Sequence, residues 1–479
     1  MFLSNKSHKI FQNLFLQHFG HELTQDQSQL FTKTVDFLTS SNHKAIQVIS
    51  GYAGTGKTSF IGSLIKTLSN IKVKTVLLAP TGRAAKVLSR FSNKNAFTIH
   101  RIIYSSSDGL DENYRTVLSK NTFKNSVFIV DECSMIPEFS IEKNGQIGRG
   151  LLEDLIEFVY SGENCKLIFI GDVGQLPPVG SSLSPALDEN YLKFHFPFFE
   201  IIKVHLGQVM RQSEYSGILV NATKLRLAHS EIKFELNDFE DIIRINGLEL
   251  QEIIEQSYDV VGSEDTILIT KSNKRANEFN KQIRNRILWR DDYLHSNDDL
   301  MIVKNNYYWG QKTKGSFLAN GELVRVDRIG KREQLYGFDF VHVTISLIDQ
   351  EDESFETILL IESLDCEGPS LGRERLKTLF FEIEKDYSHI KSKSKRYAEI
   401  MRSPYFNALQ AKFAYAVTCH KSQGGQWKNV FIDFGFMTPQ MIDEDYKRWL
   451  YTALTRASEK VWLLNFPDYF FEDEKNHSS

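Results

Sequence analysis

Lys57 and Thr58 close an eight-residue run, GYAGTGKT, that begins at Gly51. Two glycines five apart, followed by Lys and Thr, are the pattern that cradles phosphates. Gly51, Gly54 and Gly56 let the backbone curl so that the N–H groups along Ala53, Gly54, Thr55 and Gly56 turn towards an anion. A helix starting there adds its positive dipole end, Lys57 reaches the terminal phosphates, and the Thr58 hydroxyl is placed to ligate Mg²⁺. The chemistry expected is binding of a nucleoside triphosphate. A second constellation is Asp131-Glu132. The aspartate is suited to hold Mg²⁺, directly or through water, and the glutamate to orient and deprotonate an attacking water. An acidic pair that merely starts a turn is the alternative.

These residues need rigid supports, and the surrounding pattern supplies them. Ala45 to Ser50 (AIQVIS) reads as a buried strand, and Phe60, Ile61, Leu64, Ile65 and Leu68 recur at helical spacing after the glycine loop. Further strands are expected at Thr75–Ala79, Phe97–Arg101 (FTIHR), Ser126–Val130 and Lys166–Ile170. Each apolar run stops at glycines, hydroxyls, amides or carboxylates, which is where open α/β sheets bind ligands. The first ~20 residues read as helical. In LTQDQSQ, Thr24 is positioned to cap the next helix with Gln27 three residues on, as in a capping box. Gln27 has a second reading, as an amide that pairs with the adenine edge, since it offers both a donor and an acceptor.

The second half repeats the theme. Thr266–Thr270, Phe413–Thr418, Asn429–Phe434 and Lys460–Phe466 read as strands of a second sheet. Between Asp443 and Ala457 a helix places Tyr446, Trp449, Leu450, Ala453 and Leu454 on one face. Arg456, seven residues after Trp449, falls on that apolar side and needs an anion there. Residues 315 to about 410 interrupt the sheet. Gly321–Arg328, Phe338–Ile348 and Phe355–Ile361 alternate as antiparallel strands of a small barrel, followed by charged helical sequence from Leu371 to Met401. Another insertion, Ile102 to Asn125, contains Asp108-Gly109, a favoured hairpin turn.

Composition is that of a soluble globular chain of 479 residues with a net charge of −4. That balance excludes a protein that coats polyanions through bulk charge. Residues 1–100 nevertheless carry 12 Lys+Arg against 3 Asp+Glu, and the rest is net negative. Nucleic-acid contact is therefore expected as a focused track weighted to the N-terminal part. No apolar run reaches the ~20 residues of a membrane span, so no membrane is expected. Cys133, Cys165, Cys366 and Cys419 are scattered without metal spacing, which suits a reducing cytoplasm.

Taken together, GYAGTGKT, APTGRAAKVL, TIHR, VDECSM, GDVGQLPPVG and VMRQ resemble the first half of a superfamily 1B DNA helicase of the RecD-like and Dda-like group. ILITKSNKRANEFN, VTCHKSQGGQW and WLYTALTRAS resemble its second half. The resemblance implies an α/β fold of two RecA-like parallel-sheet domains. The first would span 1–204 with a hairpin insertion at about 102–125. The second would span 205–314 and 411–479, with an SH3-like insertion at 315–410. It implies ATP and Mg²⁺ as cofactors. Gln175 would sense the γ-phosphate, and Arg211 and Arg456 would reach it across a cleft. Pro80, Thr81, Arg83, Lys86, Thr98 and His100 would grip one DNA strand from the first domain, and Thr418, His420, Lys421 and Gln423 from the second. Gln426 departs from the family, which commonly has Glu there. The expectation is a cytoplasmic, monomeric ATP-dependent 5′→3′ helicase and translocase on single-stranded and tailed duplex DNA. Single-strand-binding, repair, recombination or replication proteins are its candidate partners. The alternative is a nucleic-acid-stimulated ATPase that remodels protein–DNA complexes, or acts on RNA, without separating strands.

Overall fold

The computed structural model describes residues 8–105, 117–141, 147–209, 216–227, 232–310, 318–348 and 354–471. They fall into two compact units. The first holds the chain from its N-terminal helix to Glu235, together with Ile442–Thr455, and the second holds Leu236–Met441 and the chain from Arg456 onward.

The core of the first unit is a six-stranded parallel sheet. Its order is Glu200–Leu206, Ala45–Gly51, Lys166–Gly171, Ser126–Val130, Lys74–Ala79, Ala96–Thr98. Ala45–Gly51 is buried along its whole length. Ile46 and Val48 pack into the cluster with Phe128, Phe158 and Phe169 on one face, and Ala45 and Ile49 into the cluster with Phe15, Phe37 and Phe60 on the other. Burial on both faces is why these strands read as continuous apolar runs. The N-terminal helix His8–Phe19 presents Phe11, Phe15 and Phe19 four residues apart, and Phe15 meets Phe60 of the helix after the glycine loop with ring centroids 4.9 Å apart. The loop helix is thereby braced from behind.

FTIHR is not one strand. The strand ends at Thr98, whose hydroxyl accepts from Arg101 N at 3.3 Å and starts the short helix Ile99–Ile103. Of the 102–125 insertion, the described ends pair antiparallel, Tyr104 with Leu118 and Ser105 with Val117. Asp108-Gly109 and Arg211 lie outside the described residues.

The second unit contains a five-stranded parallel sheet ordered Ile242–Ile245, Ala457–Leu464, Trp427–Asp433, Thr266–Thr270, Ala416–Thr418. It also contains a five-stranded antiparallel sheet ordered Ser354–Leu360, Phe338–Leu347, Leu323–Leu335, Asp299–Ile302, Ala411–Phe413. The antiparallel sheet therefore starts at Asp299 and ends at Phe413, beyond the expected 315–410. The run expected as one strand from Phe413 to Thr418 is two pieces in different sheets, divided at Ala414-Tyr415.

A buried ion network pins the start of the antiparallel sheet. Fully buried Asp298 receives Arg284 Nε at 3.1 Å and Nη2 at 3.0 Å, Arg290 Nη1 at 2.9 Å and the Tyr415 hydroxyl at 3.1 Å. Beside it, Asp299 takes Arg325 through Nε at 2.7 Å and Nη2 at 3.1 Å. Two carboxylates thus hold three guanidinium groups where Asp299–Ile302 begins.

The unit boundaries also differ from the expected break at 204/205. The first unit runs on to Glu235, and it recruits the helix Glu444–Leu454 from the other half of the sequence. That helix was expected to have one apolar face. Instead Trp449 to Leu454 are all buried, because both sides of the helix meet protein.

Candidate functional site

The first sheet's strand order lays the predicted residues along its C-terminal edge. Ala45–Gly51 delivers the glycine loop, its neighbour Lys166–Gly171 delivers Asp172 and Gln175, and Ser126–Val130 delivers Asp131 and Glu132. Of the last two strands at one end of the sheet, Lys74–Ala79 is followed by Pro80 and Thr81, and Ala96–Thr98 carries Thr98 and precedes His100. Ala79 and Thr98 are in register, so the segments that follow them leave the sheet side by side. One half of the edge carries the residues expected to bind phosphates and the other half those expected to contact a nucleic acid.

The glycine loop has the backbone its sequence requires. Gly54 and Gly56 have φ of +76° and +82°, in the left-handed region that favours glycine. A Cβ on Gly51 would lie 2.9 Å from Leu206 Cβ, so only glycine fits against the neighbouring strand. The helix Lys57–Asn70 has no side-chain cap at Gly56, which leaves its first-turn N–H groups for an anion. Lys57 Nζ donates to Gly51 O at 3.0 Å and Tyr52 O at 2.7 Å, and lies 3.9 Å from Asp172 Oδ2. Lys57, Thr58, Asp131, Ile61, Leu88 and Phe91 line one pocket.

Asp131 and Glu132 follow their strand directly. Asp131 Oδ1 accepts from Glu132 N at 2.8 Å, and Glu132 has φ of +52°. A left-handed residue other than glycine costs about 1 kcal/mol and is retained where the turn it makes is needed. Burial of its carboxyl, with Glu132 beside it, pushes Asp131 up to about 7. A divalent cation would reverse that penalty, and the Thr58 hydroxyl with the Asp131 carboxylate is an oxygen donor set that suits Mg²⁺. Among the described residues no cluster of three or more His, Cys, Asp and Glu could hold a metal by itself. The donors present fit an ion shared with phosphates.

One expected result follows for the ligand-free protein. A carboxyl raised from 3.8 to about 7 contributes stability at low pH that is lost as pH rises between those values. Asp131→Asn should therefore raise ligand-free stability by on the order of 1 kcal/mol at pH 8 while removing Mg²⁺-dependent turnover. Thermal melts at pH 4 and pH 8 check it: the gain should be confined to pH 8.

Gln27 completes the expected capping box. Its Oε1 accepts from Thr24 N at 3.0 Å and its backbone N donates to Thr24 Oγ1 at 3.3 Å. Nε2 also donates to Thr55 O at 3.1 Å, tying this helix to the glycine loop. Gln175 is buried, and its side-chain Oε1 has no hydrogen-bond partner among the described residues. Thr81 Oγ1 accepts from Ala84 N at 3.2 Å and caps the helix Gly82–Ser92, which carries buried Arg83 and half-buried Lys86. Burial holds His100 below the usual histidine range.

In the second unit, Thr418 ends its strand and opens the short helix Cys419–Ser422. Lys421 shares a pocket with Thr418, Lys412, Asn273 and Asn277, and burial, with Lys412 nearby, pulls it down to about 8. Gln423 is buried, and His420 and Gln426 are exposed. Arg456 is not on the helix, which ends at Leu454. It is buried just before the strand Ala457–Leu464, where Nη1 donates to Gly425 O at 3.1 Å. Its partners therefore include a backbone carbonyl, as burial of a guanidinium requires.

Two residues were missed. Asp172 is buried at the strand end, and its Oδ1 accepts from Gly174 N at 2.8 Å. Tyr451 places its hydroxyl 2.7 Å from Asp172 Oδ2 and 2.8 Å from Ala53 N. The available signals were the aspartate's position at a strand end and the uncharged run WLYTAL.

The chain is similar to known proteins along most of its length. A model of the UvrD-like helicase C-terminal domain matches residues 413–464, and an AAA domain model matches residues 36–181. The uncharacterised protein R530 of Acanthamoeba polyphaga mimivirus is 24% identical over 90% of this chain and 97% of its own length. The ATP-dependent DNA helicase Dda of Enterobacteria phage T4 is 26% identical over 64% of this chain and 67% of its own. The ATP-dependent RecD2 DNA helicase of Deinococcus radiodurans is 23% identical over 88% of this chain, which spans 47% of that protein.

Proposed function

We propose that this chain, which is similar to RecD-like and Dda-like helicases, is a superfamily 1B motor that uses ATP to move 5′→3′ along single-stranded DNA and to unwind duplexes. The observation that carries the reading is the shared sheet edge: the phosphate loop, Asp131-Glu132 and Gln175 leave one parallel sheet, and its two neighbouring strands Lys74–Ala79 and Ala96–Thr98 lead to Thr81 and Thr98 at the same edge. A change at the phosphate end is thereby one rigid layer away from the strand-gripping end.

In this mechanism the glycine loop and Lys57 bind the ATP phosphates, and Thr58 and Asp131 would hold Mg²⁺. When bound, the metal neutralises charge on the β- and γ-oxygens. Glu132 orients the attacking water and takes its proton, while Gln175 supplies a polar contact to the γ-phosphate side. The resemblance gives Arg211 and Arg456 the role of adding positive charge as the γ-phosphate leaves. Pro80, Thr81, Arg83, Lys86, Thr98 and His100 form one grip on the strand, and Thr418, His420, Lys421 and Gln423 form the other. The strand itself would be held through phosphates and base faces.

ATP turnover with and without single-stranded DNA, followed by unwinding of tailed duplexes, tests the reading. The expected outcome is DNA-stimulated hydrolysis and strand separation from a 5′ tail, with little or none from a 3′ tail. Efficient unwinding from the 3′ tail overturns the direction. Stimulated hydrolysis without separation from either tail replaces unwinding with remodelling of protein–DNA complexes, and stimulation by RNA alone changes the substrate.

A further inference from the structure

We propose that Tyr451 is a positioning residue of the ATP site, its hydroxyl joining the Ala53 N–H of the phosphate loop to the carboxylate of Asp172. This rests on the reading of the site as an ATPase and adds to it a residue from a helix that contributes none of the proposed reacting groups. The hydroxyl is used in both senses. It accepts from Ala53 N at 2.8 Å and donates to Asp172 Oδ2 at 2.7 Å. Both distances are those of well-formed hydrogen bonds, and the bond to a carboxylate is of the stronger, charge-assisted kind.

Asp172 passes the constraint on. Its Oδ1 accepts from Gly174 N at 2.8 Å, and its Oδ2 faces Lys57 Nζ at 3.9 Å. A Cβ on Gly174 would sit 3.0 Å from Tyr451 Cε1, so the glycine lets the ring lie against this loop. One residue on, Thr452 Oγ1 accepts from Leu176 N at 2.9 Å and donates to Arg448 O at 2.7 Å. Leu176 follows Gln175, whose side-chain oxygen is buried without a hydrogen-bond partner among the described residues. Two consecutive side chains of one helix therefore hold the phosphate loop and the Asp172–Gln175 loop together.

The consequence is a fixed counter-charge for Lys57. In the ligand-free loop the ammonium rests on the Gly51 and Tyr52 carbonyls. Phosphate oxygens must draw it away, and Asp172, held by Tyr451, stays beside its path. Without the hydroxyl, Ala53 N–H and Asp172 Oδ2 each lose a partner, and the loop must be ordered at the moment ATP binds. The cost falls on nucleotide binding.

Tyr451→Phe keeps the ring and its packing. The expected result is a KM for ATP raised about tenfold, with kcat at saturating ATP within about threefold. The thermal midpoint should fall by a few degrees at most, the cost of two unmet partners, and single-stranded DNA affinity without nucleotide should stay at the wild-type value. Asp172→Asn should raise KM in the same way, and the double variant should show no larger KM than the worse single variant. A wild-type KM in Tyr451→Phe, a fall confined to kcat, or additive effects in the double variant would overturn the assignment. A wild-type protein without ATPase activity sinks the functional reading instead, so the two failures are told apart.

Discussion

Glu132→Gln gives a protein that binds ATP and hydrolyses it at least ~10²-fold more slowly, the loss expected when a positioned base is removed. The substitution preserves size and shape, so the left-handed turn at φ of +52° and the bond from its own N–H to Asp131 Oδ1 persist. What disappears is the proton acceptor. Single-turnover hydrolysis beside equilibrium binding of ATP separates the two effects, and hydrolysis within a factor of a few of wild type would move the base elsewhere. The carboxamide also removes one negative charge beside Asp131, so binding of Mg²⁺·ATP is expected to be retained.

The second large effect is structural. Asp298→Asn should destabilise the second unit by about 3–5 kcal/mol, the cost of breaking a buried ion pair from one side. Asn keeps the shape of Asp298 but leaves the Arg284 and Arg290 guanidinium groups without the carboxylate they share. Hydrogen exchange along Asp299–Ile302 reads the loss where it occurs, because that strand starts at the network and bonds to both Leu323–Arg325 and Ala411–Phe413. A loss below about 1 kcal/mol would mean that solvent reaches the pair well enough to screen it.

How much of this was legible in the sequence depended on how local its cause was. The glycine loop, its strand and its helix are contiguous, so residue types alone determine them. Asp131-Glu132 was legible because a fully buried strand stops there. FTIHR was misread because apolarity continues across Thr98, while the Thr98 hydroxyl captures a backbone N–H and starts a helix. Phe413–Thr418 was misread for the opposite reason: one apolar run serves two sheets, and only strand pairing tells them apart. Asp299–Ile302 gave no sign of joining the antiparallel sheet, since four buried residues carry no register. Tyr451 was missed because the uncharged run around it names no partner, and its two partners lie 398 and 279 positions away. Its helix was assigned to the domain around it in sequence.

That helix also dictates an order of assembly. The first unit is covalently continuous only to Glu235, and its last piece, Ile442–Thr455, is synthesised roughly two hundred residues later. At ribosomal speeds of about 5–20 residues per second, the nascent unit waits on the order of 10–40 s for Tyr451 and Thr452. During that interval the Ala53 N–H and Asp172 lack the hydroxyl that joins them, and the surface that will receive Trp449 and Leu450 is bare. A chain interrupted before residue 442 would therefore carry every residue of GYAGTGKT and still lack a finished phosphate loop. The bracing of the phosphate loop by Tyr451, and of Leu176 by Thr452, is one of the last features of the first unit to form.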